Sequence, residues 1–140
     1  HTYTSPGIVA AVDTRDGSLL YLNQLGEYVA TAALADPFAP LLYVAAAALD
    51  SLGEPAALPT IFVYDAARGH LLATLETSRT DDLTPCSLYC FNGILVHDPF
   101  VDELYYMDQG AGWEETLVFR YTLPRSRDGL LAASATARNR

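Results

Sequence analysis

Residues 98–105 read D-P-F-V-D-E-L-Y, and residues 36–43 read D-P-F-A-P-L-L-Y. The same phrase therefore returns sixty-two positions along the chain. Asp followed by Pro opens a turn, and Pro99 has no N–H to give to a strand ladder, so it belongs in a loop. Apolar runs flank the second copy, Ile94–Val96 before it and Leu104–Met107 after it. Each copy thus reads as the turn of a β-hairpin.

A second phrase interleaves with the first. Residues 12–20 read V-D-T-R-D-G-S-L-L and residues 64–72 read Y-D-A-A-R-G-H-L-L. A looser third copy is Y-T-L-P-R-S-R-D-G-L-L at 121–131. Gly17 and Gly69 fall where a hairpin turn wants positive φ, which glycine accepts without steric cost. Working outward, hairpins of the two kinds alternate at 8–22, 29–48, 60–76, 91–108 and 116–134. Two hairpins make a four-stranded unit, and the loops 49–59 and 77–91 are rich in turn residues.

The strands themselves indicate how such units pack. Leu41–Val44, Ile61–Tyr64 and Leu104–Met107 are apolar on both faces, whereas a strand covered on one side alternates. Antiparallel four-stranded sheets stacked face to face would bury both faces. The expected fold is therefore all-β, with antiparallel four-stranded blades of a β-propeller. The expected divisions are a half blade at 1–23, a blade at 29–76, a blade at 91–134 and a tail at 135–140. Five hairpins make two and a half blades, fewer than a closed ring needs. The reading is then a segment of a larger propeller, or one whose missing blades come from partner chains.

N-G-I-L-V-H-D-P at 92–99, followed by L-Y-Y-M-D at 104–108, resembles the blade phrase of NHL-like and YWTD-type propellers. It is especially similar to the SMP-30/gluconolactonase family, and V-F-R-Y-T-L at 118–123 fits the third strand of such a blade. The resemblance covers 91–123 well and the rest loosely. It implies a divalent-metal lactonase or esterase, with Asn92 as one metal ligand and Ca²⁺ as a candidate ion. The family's Glu and Asp ligands have no matching position here, and one amide oxygen does not hold Ca²⁺. Asn92 also reads as the turn residue of an Asn-Gly pair.

Composition narrows the partners. The net charge is −9, with 17 acidic residues against 8 basic ones, all Arg. Nucleic acid and anionic membrane surfaces call for basic stripes, so neither is expected as a partner. No apolar run is long enough for a membrane-spanning helix, and no signal peptide is legible. Cys86 and Cys90, four apart without a nearby His pair, are poor zinc grammar; they read either as buried thiols or as a short-loop disulfide of a secreted protein. The chain begins at His1, which raises a copper histidine brace with His70 or His97 as second ligand. Asp81-Asp82 and Glu114-Glu115 read as solvated loop charge. Trp113, in the loop G-A-G-W, is a candidate contact residue, joined by Tyr105 and Tyr106. No nucleophile elbow or catalytic frame is present. The expectation is a non-enzymatic structural or interaction module, extracellular or at the cell surface, meeting protein partners or neighbouring chains of an assembly. The metal-dependent lactonase and the copper protein are the alternatives.

Overall fold

Nine strands, and no helix, make up the described residues of the computed structural model, which are 7–48, 59–76, 93–109 and 116–123. They are β1 (Ile8–Val12), β2 (Leu19–Gln24), β3 (Tyr28–Ala35), β4 (Leu41–Ala48), β5 (Thr60–Asp65), β6 (Leu71–Glu76), β7 (Ile94–Asp98), β8 (Glu103–Gln109) and β9 (Thr116–Thr122). The fold is all-β. Every neighbouring pair is antiparallel, in a first sheet β1-β2, a second β3-β4-β5-β6 and a third β7-β8-β9.

The turns follow from their residues. The Gly17 amide donates to the Asp13 carbonyl at 2.7 Å, and the Gly69 amide to the Asp65 carbonyl at 2.8 Å. Gly17 and Gly69 have φ of 75° and 72°, a region L side chains rarely adopt. A register shift follows in each ladder, at Ala11/Val12 and at Val63/Tyr64. The two D-P-F turns agree as well. Asp36 Oδ1 accepts the Phe38 amide at 2.8 Å, and Asp98 Oδ1 accepts that of Phe100 at 2.9 Å. Ala35 lies opposite Leu42, as His97 lies opposite Leu104. The Pro40 carbonyl takes the Ala66 amide and the Asp102 carbonyl the Leu123 amide, both at 2.8 Å. One position differs in kind: Asp102 has φ of 52°, where the other turn carries Pro40, whose ring fixes φ negative.

The second sheet is covered on both sides. On one face Leu42, Val44, Phe62 and Tyr64, with Tyr28 of the same sheet, meet Val9 of β1 and Leu25 just after β2. On the other, Tyr43, Ala45, Ile61 and Val63 meet Leu95, Leu104, Tyr106, Phe119 and Tyr121 of the third sheet. Val44, Ala45, Ile61 and Val63 are fully buried. Removing each large side chain from water is worth about 1.5–3 kcal/mol, so these two layers of contacts dominate the stability.

The third sheet departs from the expectation for Leu104–Met107. Leu104 and Tyr106 are buried, but Tyr105 and Met107 are only partly so. No described sheet lies over their face, and Ile94, Val96 and Val118 there are 59%, 43% and 43% exposed. The fourth strand expected for this unit falls outside the described residues. No helix of the described residues is long and apolar enough to cross a membrane.

Candidate functional site

The residues that carry polar chemistry gather at the junction of the second and third sheets. Asp36 directly follows β3, and the Asp-Pro turn aims its carboxylate back over the hairpin. Oδ1 accepts the Phe38 amide and, at 3.1 Å, the Ala39 amide; Oδ2 accepts the Tyr43 hydroxyl at 2.6 Å. Tyr43 reaches it from β4. His97 comes from β7 of the third sheet and lies over both, its ring centroid 5.7 Å from that of Tyr43. Its Nδ1 is 3.7 Å from Asp36 Oδ2, outside hydrogen-bond reach, with the two side chains 8% and 6% exposed. Neither His97 nitrogen has a hydrogen-bond partner among the described residues.

The electrostatics follow from this geometry. Burial pushes the Asp36 carboxyl up, but the Tyr43 hydroxyl, the two backbone amides and the nearby His97 outweigh it and hold the group below its ordinary value. Burial, reinforced by the Asp36 carboxylate, drives the Tyr43 phenol well above its own. Tyr43 therefore keeps its proton, and Asp36 is a hydrogen-bond acceptor already occupied by three donors. The three donors all belong to the β3–β4 hairpin, so the bonds brace that turn beneath the third sheet and leave Asp36 and Tyr43 engaged with one another. No group of three His, Cys, Asp or Glu side chains suited to a metal occurs among the described residues.

Further polar ties join the layers. The Tyr21 hydroxyl donates to the Ala66 carbonyl at 3.1 Å, and Asn23 Nδ2 to the Gly69 carbonyl at 2.7 Å, linking the first sheet to the second. The Tyr106 hydroxyl donates to Thr31 Oγ1 at 3.0 Å, and that of Tyr121 to the Pro59 carbonyl at 2.6 Å, linking the third sheet to the second and to its approach.

The residues singled out from the sequence separate cleanly. Tyr106 is fully buried between sheets, out of reach of a partner. Tyr105 is on the outer face of the third sheet, where its hydroxyl donates to Glu103, which also faces Arg120 at 3.9 Å. His70 is exposed in the β5–β6 turn, and His97 is enclosed by the sheets. His1, Cys86, Cys90, Asn92, Trp113 and the acidic pairs Asp81-Asp82 and Glu114-Glu115 lie outside the described residues. Gly93, which follows Asn92, is described. A Cβ there would overlap the Tyr106 ring, so close packing accounts for the glycine.

Sequence reasoning passed over the Asp36–Tyr43–His97 junction. Two of its members stand in the phrase D-P-F-A-P-L-L-Y, and the third immediately precedes the other copy, where the first copy has Ala35. That Ala-for-His difference between matching positions was the available signal. Comparison with protein families, with curated proteins and with solved structures finds no match for this chain.

Proposed function

We propose that this chain is a non-enzymatic structural and interaction module, a run of blades from a larger β-propeller, acting outside the cell or at its surface. One observation carries the reading: each junction between sheets uses the same pair of faces. Leu42, Val44, Phe62 and Tyr64 meet the preceding sheet. Their counterparts in the third sheet, Leu104, Tyr106, Phe119 and Tyr121, do the same. The opposite faces point onward along the stack. A series built this way leaves one face open at each end, and both end faces here expose large apolar side chains. Such faces in a soluble protein mark contact with other protein. The shared turn geometry of the two D-P-F hairpins supports the same unit being used again.

The reading is tested by titrating the chain with Ca²⁺ and an apolar fluorescent dye, and by assaying a panel of lactones. The expected result is dye bound to a chain with native near-ultraviolet dichroism, no stoichiometric Ca²⁺ uptake and no turnover. Lactone hydrolysis with Ca²⁺ uptake that Asn92→Ala abolishes would replace it with the lactonase.

A further inference from the structure

The two open faces correspond to the two sides of the internal junctions. On the first sheet, Ala10 pairs with Leu22 and Ile8 with Gln24, so Ile8, Ala10 and Leu22 share the face turned away from the second sheet, and Val12, two residues on from Ala10, pairs with Leu19 past the register shift. Ile8, Val12 and Leu22 are 52%, 52% and 49% exposed. Matched through the Asp13 and Asp65 turns, Ala10 and Val12 stand where Phe62 and Tyr64 stand in the second sheet. That is the face each sheet presents to the sheet before it. On the third sheet, Ile94, Val96, Tyr105 and Val118 stand where Ala32, Leu34, Tyr43 and Ile61 stand, which is the face presented to the sheet after it. One end of the molecule thus carries the donor half of the internal junction and the other end the acceptor half.

We propose that this chain associates head to tail with a second copy of itself, the outer face of β7–β9 in one copy receiving the outer face of β1–β2 in the next. The inference rests on the stacked-blade reading above. The contact is heterologous, since the two surfaces differ, so it does not stop at two copies unless the ring closes. Each copy carries a net charge of −9, and this repulsion makes association stronger at higher salt.

Sedimentation velocity of the whole chain over a range of concentration and salt is the test. The weight-average mass should climb past that of two copies, further at high salt. Two variants block opposite ends: Ile94→Asp with Val118→Asp, and Val12→Asp with Leu22→Asp. An unpaired carboxylate at either face should weaken association at least about tenfold, leaving each variant monomeric. Mixed in equal amounts they retain one intact pair of faces between them, and should form dimers and nothing larger. Wild-type chain that stays monomeric at high concentration and high salt overturns the proposal, as does a mixture that stays monomeric or a variant that still associates. Monomeric wild type whose variants keep its melting temperature would leave the faces open and the stacked reading standing. Monomeric wild type destabilised by the variants would mean the chain covers these faces itself, and both would fall. If the variants fail to fold, hydrogen exchange of concentrated against dilute wild type decides. Protection must rise at β1 and β7 together, and a rise at neither refutes the association.

Discussion

Tyr43 in the second sheet and Tyr105 in the third occupy matching positions on β4 and β8, in the same register with their hairpin partners. Tyr43 is 1% exposed, its hydroxyl bound to Asp36 beneath a neighbouring sheet. Tyr105 is partly exposed, its hydroxyl bound to Glu103 on the same strand. The hairpin that carries each is alike; what differs is whether another sheet lies on top. In this molecule burial is decided by stacking, and the strand alone leaves it open.

The sharpest way to break that comparison is to truncate both tyrosines. Tyr43→Ala should cost about 3–5 kcal/mol in urea denaturation, through the cavity and the stranded carboxylate. Tyr105→Ala should leave the midpoint unchanged. Equal losses would mean that position in the hairpin matters more than the covering sheet.

The aspartates give the next contrast. Asp36→Asn should cost about 1–3 kcal/mol, because a buried acceptor of three donors loses its charge. Asp98→Asn, at an exposed turn where Oδ1 accepts the Phe100 amide, should cost less. The pH dependence has a definite sign. The Asp36 carboxyl is lowered in the folded state, so its contribution is complete above the ordinary value of 3.8 and is lost as pH falls through the lower, folded value. The Tyr43 and Tyr121 phenols are raised, chiefly by burial, so their contribution is complete below 10.0 and is lost as pH climbs beyond it. Denaturation midpoints followed into acid and alkali should fall at both ends, and Asp36→Asn should flatten the acid limb.

Smaller effects separate the two glycine turns. Gly17→Ala should cost about 1 kcal/mol, for φ alone, since open space surrounds it. At Gly69 an added Cβ also meets the Tyr21 ring at 2.5 Å, so Gly69→Ala should lose a further ~1–3 kcal/mol. Least of all, Arg15→Ala should leave the melting temperature where it is. The Arg15 side chain pairs with Asp13 at 2.5 Å but is 86% exposed, and the matching turn holds its shape with Ala67 in that place.

How much of this was legible depends on the range of the interaction. The turns at Gly17, Gly69, Asp36 and Asp98 were readable, because each is built from residues within a few positions of one another. The two-faced apolar strands Leu41–Val44 and Ile61–Tyr64 were readable too, as a pattern that only double burial explains. Leu104–Met107 has the same pattern, yet Tyr105 and Met107 meet no described sheet; the pattern records suitability for a neighbour and not its presence. The Asp36–His97 approach joins residues from separate sheets, and no local spacing encodes it. The glycine of Asn92-Gly93 suggested a turn, but its requirement comes from Tyr106, thirteen residues on in the chain and packed against it.

Native-state hydrogen exchange on the dilute monomer tests the central claim most directly, because it reads the stack layer by layer. The amides of β4 and β5, in the sheet covered on both faces, should be the slowest to exchange, with β1, β2 and β7 the fastest. Protection of β1–β2 or of β7–β9 equal to that of β4–β5 would contradict the account, since the molecule would then have no open ends for neighbouring blades to cover.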